Sequence, residues 1–250
     1  MELITIREVS EYTDQFKGLM NDTLIDGYTE LSYSTTKFIN TILMGAATFN
    51  EAFLDMMKKG YNLAATPFIR MQLDNCLSVY ASMIYPNKET FYKHYINGKP
   101  LNQLKINGKA LTSNYLKEGL EAKDSFCNSV GRLFDDACKY IHPSNYQYKE
   151  TICEDATSLM ITDETVEMIT DEDELATVSE ECGVSAEWYD DLFWDMQYSN
   201  EVLLFLAKEV VNEIKNTELT GDYRTIKLSV TSEAPYERSV KVYSGIRGRG

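Results

Sequence analysis

Residues 124–148 read DSFCNSVGRLFDDACKYIHPSNYQY, and outward from this stretch the fold can be inferred. An Asp124 or Ser125 cap followed by periodic apolar residues predicts a helix running to Ile141. At about 100° per residue from Arg132, Phe126, Val130, Leu133, Ala137 and Ile141 gather within an arc of about 80°, the expected buried face. Arg132, Asp135, Lys139 and His142 share a second arc roughly opposite, a polar stripe about 15 Å long. Pro143 disfavours helical geometry at His142, so the imidazole is expected at or just beyond the helix end. There the negative pole of the helix favours its protonated form.

Helical periodicity extends along the chain. A helix is expected around Glu8 to Leu24, and a longer one from Ser32 to Lys58. The longer helix has Phe38, Ile42, Phe49, Phe53 and Met56 on one side, Lys37, Asn40, Glu51 and Asp55 on the other, and Gly60 as its stop. Thr66-Pro67 reads as a cap and first helical position, with an earlier start as the alternative. In the helix that follows, to about Ile84, Arg70, Asp74 and Ser78 recur at steps of four. Arg70 and Asp74 are either a solvated ion pair or the wall of a cleft. After Pro86-Asn87 a short helix over Lys88 to Tyr95 is expected, then a small hairpin in LNQLKINGKALT, then a helix from Thr112 to about Gly119. A strand over YQYKETI and a long helix from Ser185 to Asn216 complete the body, the latter with Leu192, Phe193, Met196, Leu203, Leu206, Val210 and Ile214 on its apolar face. YRTIKLSV and RSVKVYSG predict a two-stranded appendage ahead of a GIRGRG tail.

Charge is unevenly distributed over the 250 residues. The net charge is −15, and from Glu150 to Asp191 there are fifteen Asp or Glu and no Lys or Arg, so the remainder balances 24 cations against 24 carboxylates. A net-acidic chain repels nucleic acid at long range, while a balanced body can still carry a local basic site. From Thr220 onward six basic residues face three acidic ones.

Several chemistries lack their residues. Asn107-Gly108-Lys109 lacks the first glycine and the trailing hydroxyl of a phosphate loop. Ala176 and Cys182 stand where a calcium loop needs glycine and glutamate. The two histidines, His94 and His142, and five scattered cysteines form no zinc spacing, and the cysteines are expected to be reduced. No serine-hydrolase elbow, zinc-protease motif or dinucleotide fingerprint appears, so neither metal nor cofactor is expected. No apolar run is long enough to span a bilayer, and the start lacks the order of a signal peptide, which places the chain in the cytoplasm. Cys138 and His142, one turn apart, could pair as thiolate and imidazole, or Cys138 is an inert buried thiol.

The chemistry that fits the stripe is metal-independent RNA cleavage. It needs a proton acceptor for the ribose 2′-hydroxyl, an acid for the leaving oxygen and a cation on the phosphate. His142 supplies the acid or base, Arg132 the cation and Asp135 the orienting carboxylate. Lys139, Arg70 and Asp74 are the candidate substrate-binding groups. The competing reading is a surface stripe in which Asp135 pairs with Arg132 or Lys139 and His142 caps the helix.

The helix containing PFIRMQLDN and the later one ending in KYIHPS, over about residues 32 to 216, resemble the bacterial HEPN-like all-helical proteins, some of them associated with abortive infection and toxin–antitoxin systems. In catalytic members an Arg and a His a few residues apart on a late helix cut RNA at a dimer interface. The matching pair here is Arg132 and His142, with nine residues between them. The resemblance implies RNA as substrate, a homodimer and a role in antiviral defence. The expectation is thus a mainly α protein: a helical bundle over 1–219 with a small β-hairpin insertion and the acidic segment 150–191, and a basic β appendage over 220–250. The alternative function is a non-enzymatic binding module offering its acidic segment to a basic protein partner.

Overall fold

A computed structural model describes residues 6–23, 30–141, 186–217, 227–230 and 240–243. The fold is mainly α. Helices α1 (Ile6–Asp22), α2 (Glu30–Lys58), α3 (Asn62–Ile84), α4 (Lys88–Ile96), α5 (Ser113–Lys123), α6 (Val130–Ile141) and α7 (Ala186–Thr217) are joined by short connections where the chain is described. A small antiparallel hairpin, β1 (Lys105–Ile106) and β2 (Lys109–Ala110), separates α4 from α5. Strands β3 (Lys227–Val230) and β4 (Val240–Tyr243) pair antiparallel, with Lys227 opposite Tyr243. The expected YQYKETI strand and most of the acidic segment lie outside the described residues. Among the described residues no helix is long and apolar enough to cross a membrane.

The two long helices follow their periodicity. Phe38, Ile39, Ile42, Leu43, Ala46 and Phe53 of α2 are buried, as are all seven apolar positions expected on α7. Each of these side chains larger than alanine contributes about 1.5–3 kcal/mol on leaving water. Helix α3 lies at the centre, packed by α2 and α7 and also by α5 and α6. This is why Gln72, Leu73, Cys76 and Leu77 are all buried along it.

A chain of amides fixes how these helices sit. Asn50, Gln72 and Asn200 are fully buried. Gln72 Nε2 donates to Asn200 Oδ1 (2.6 Å), and Asn200 Nδ2 donates to Asn50 Oδ1 (2.8 Å). Asn50 Nδ2 in turn reaches the Val9 carbonyl (2.7 Å) and Thr13 Oγ1 (2.9 Å). Four helices, α1, α2, α3 and α7, therefore share one internal hydrogen-bonded line. Buried amides left unpaired are costly, so the line rewards one arrangement of these helices over its neighbours.

Two expected helix starts are corrected. Helix α3 begins at Asn62, and Pro67 lies inside it. Proline has no N–H to offer the carbonyl four residues back, and Thr66 Oγ1 donates to that Leu63 carbonyl (2.8 Å) rather than capping the helix. The expected continuous helix from Asp124 is divided. Residues Ser125–Cys127 form a 3-10 turn capped by Asp124, and α6 starts only at Val130. Tyr198 of α7 causes the break: its hydroxyl accepts from Ser129 N (3.2 Å) and donates to the Phe126 carbonyl (2.9 Å). Phe126 consequently leaves the expected buried face. It is 40% exposed and packs edge-on against Phe205 and tilted against Tyr198.

The hairpin and the caps follow local chemistry. Asn107 and Gly108 have φ of 50° and 81°, the left-handed pair that a two-residue turn requires. Asn87 and Thr112 cap α4 and α5, accepting from the amides of Thr90 (2.9 Å) and Tyr115 (3.2 Å).

Candidate functional site

Helix α6 is seated by Val130, Leu133, Phe134 and Ala137, all buried. Its first turn is tied to α5, where Glu121 Oε1 accepts from Gly131 N (2.8 Å). A methyl group at Gly131 would meet that same oxygen at 2.6 Å, so glycine gives the carboxylate its access. With α6 so placed, Gly131, Arg132 and Asp135 face Asn114, Lys117, Glu118 and Glu121 of α5 across an open groove of about 400 Å³.

The polar stripe exists as side chains pointing outward, with partners that differ from those expected. Arg132 is 71% exposed and pairs with Asp136 one turn on (3.5 Å). Lys139 pairs with the same carboxylate (2.6 Å). Asp135, expected to serve one of these cations, instead pairs with Lys117 of α5. The Lys117 stem is almost wholly buried and its ammonium lies 4.9 Å from the Phe134 ring centre. Asp136 thus bridges the two cations, and Asp135 crosses to the neighbouring helix. His142, the residue directly after α6, lies outside the described residues.

Arg70 occupies a different side of α6. Its guanidinium lies 3.5 Å from the Phe134 ring centre, pairs with Asp74, and donates from Nε to Cys138 Sγ at 3.4 Å. Phe134 and Cys138 stand about 160° and 120° around the helix from Arg132. Arg70 and Arg132 therefore do not converge. Burial opposes the Arg70 charge, but Asp74 and Cys138 outweigh it and hold its pKa above the ordinary value. Asp74 is exposed, whereas Arg70 is mostly covered by its packing on Phe134 and Cys138.

One group at this locus was not singled out in the sequence. Asp195 of α7 is half-buried, and its pKa is pushed up to about 7. Loss of solvent is the main cause; Asp191 and Asp136 add to it, and the Arg132 charge opposes it. The sequence signal was an acid set among the core positions Leu192, Phe193 and Met196, on the edge of an apolar stripe. A carboxyl poised near neutrality can give or take a proton, and the Arg132 guanidinium is the nearby cation. Among the described residues no three His, Cys, Asp or Glu are placed to hold a metal ion.

No family model matches this chain, and no significant match to it was found among curated proteins or solved structures.

Proposed function

We propose that this chain is an HEPN-like helical protein of a bacterial defence or mobile-element context that cleaves RNA without a metal, working as a homodimer. The observation that carries this reading is the Arg132–Asp195 locus. The exposed guanidinium on the helix that leads directly into His142 acts through its charge on a carboxyl whose pKa is pushed up to about 7. Arg132 neutralises the phosphate as charge builds, while His142 and Asp195 divide the proton donor and acceptor roles. Asp135 and Asp136 position α6 and Arg132 through their ion pairs.

Single-turnover cleavage of single-stranded RNA in a chelator tests it. Arg132→Ala and His142→Ala should each slow cleavage by at least about 100-fold, the usual worth of a lost acid, base or anion-stabilising group. Wild-type cleavage and cell toxicity in both variants would sink the reading.

A second reading draws on the groove itself, where Glu118, Glu121 and Asp135 outnumber Lys117 and Arg132. That balance suits a basic protein segment, as does the acidic stretch 150–191. It requires that replacing the acidic residues of 163–181 by Asn and Gln weaken capture of a basic peptide.

A further inference from the structure

The cations of the helical body are mostly met by carboxylates. Arg7 pairs with Glu11, Lys17 with Glu51, Lys123 with Glu209, Lys215 with Asp22, and Arg132 and Lys139 with Asp136. One stretch holds three lysines outside this pattern: Lys93 and Lys117 there meet Glu89 and Asp135, but Lys99, Lys105 and Lys109 form no such pair among the described residues. From Thr90 to Lys117 there are 28 residues with five lysines and no Asp or Glu, the longest acid-free run in the chain. It forms a continuous head: the end of α4, the 3-10 turn Leu101–Gln103, the β1–β2 hairpin and the start of α5.

The head is held rigidly from beneath. Leu104 and Leu111 are buried, and Leu111 N donates to the Leu104 carbonyl (2.9 Å), closing the base of the hairpin. The loop before it is pinned by His94 Nε2, 2.9 Å from the Pro100 carbonyl. Around this base Lys99, Lys105 and Lys109 are exposed, Lys105 on the face of the hairpin it shares with Ala110 and Lys109 on the opposite face it shares with Ile106, and the exposed polar side chains among them are amides and hydroxyls, Asn102, Asn107 and Thr112 among them. Asn114, at the start of α5, belongs both to the head and to the groove that holds Arg132.

We infer that this head is a docking surface for the sugar–phosphate backbone of RNA. Lysines set among amides and hydroxyls are the groups that contact phosphate and sugar oxygens. A protein-binding patch would instead be depleted in lysine and centred on aromatic anchors. Through Asn114 the surface adjoins the groove that holds Arg132. The inference rests on the RNA reading proposed above and adds a binding element apart from the cleaving residues.

The test is fluorescence anisotropy with a labelled single-stranded 2′-O-methyl RNA. Such a strand cannot be cut through its 2′-oxygen, so binding is read independently of cleavage. The full-length chain is compared with the triple variant Lys99→Gln, Lys105→Gln, Lys109→Gln over a salt series. Loss of three phosphate contacts should weaken binding by at least about tenfold at about 50 mM salt. It should also make the slope of log affinity against log salt shallower by about 2, at roughly 0.7 per contact. Melting of the triple variant should match wild type, since the three side chains are exposed. Equal affinity and slope in the two proteins would overturn the inference. So would tighter lysine-dependent binding of a poly-glutamate peptide than of RNA, which would assign the head to an acidic protein. Arg132→Ala and His142→Ala should keep the wild-type slope to within about 1, so loss of the cleavage reading alone would leave the head's result standing.

Discussion

Asp195 couples the stability of the fold to pH. An unfolded aspartate titrates near 4 (about 3.9), while this one titrates at about 7 in the folded chain. Between these values the folded state holds a proton that the unfolded chain has released. Stability is therefore highest below about pH 4 as far as this group is concerned, falls as pH rises to about 7, and stays at the lower level above it. Asp195→Asn removes the titration. At pH 8 it should raise stability by on the order of 2 kcal/mol, a figure discounted from 1.36 kcal/mol per pKa unit because the carboxyl keeps some solvent contact. On the function proposed above, the same variant should also slow RNA cleavage. Thermal melts at pH 5.5 and pH 8 check the first part: a wild-type minus variant difference that is the same at both pH values would show that Asp195 is not the titrating group. Higher stability with lower activity is the signature of a residue kept for its reaction rather than its packing.

At the scale of elements, the start of α6 depends on a residue 69 positions away, the Tyr198 hydroxyl bound at Ser129. Tyr198→Phe keeps the ring contacts with Phe126 and removes both hydrogen bonds, at an expected cost of about 1–2 kcal/mol in urea denaturation. It should also speed hydrogen exchange at the Ser129 amide; unchanged exchange would mean that another group ends the 3-10 turn. This dependence explains what was legible in the sequence. Helices α2 and α7 could be read because their apolar spacing is set within each helix, and the β1–β2 turn because Asn107-Gly108 is itself the determinant. The Asn128–Ser129 break could not, since a distant helix imposes it. Thr66-Pro67 misled for a related reason: a threonine hydroxyl that caps and one that donates backwards are the same residue type. The site divides in the same way. The shared face of Arg132, Asp135 and Lys139 followed from angular spacing. Their partners Asp136 and Lys117, and the approach of Asp195, depended on which helices became neighbours.

For the whole molecule, the buried amide line sets a different kind of constraint. Asn200→Ala would leave both Gln72 Nε2 and Asn50 Oδ1, fully buried, without their present partner. The expected loss is about 2–3 kcal/mol, or a melting temperature lower by about 5–10 °C. A calorimetric scan that shows less than about 2 °C would mean that the two remaining amides find each other.

The same line also bears on how the polypeptide is made. Asn200 follows its partners Gln72 and Asn50 by 128 and 150 residues. A nascent chain emerging from the ribosome must therefore carry Gln72 Nε2 and Asn50 Oδ1 without this partner until α7 has been translated, although Asn50 Nδ2 can already reach Val9 and Thr13. Completion of the core is deferred until that helix emerges, and a chain stalled before residue 186 should stay loosely collapsed and dependent on chaperones.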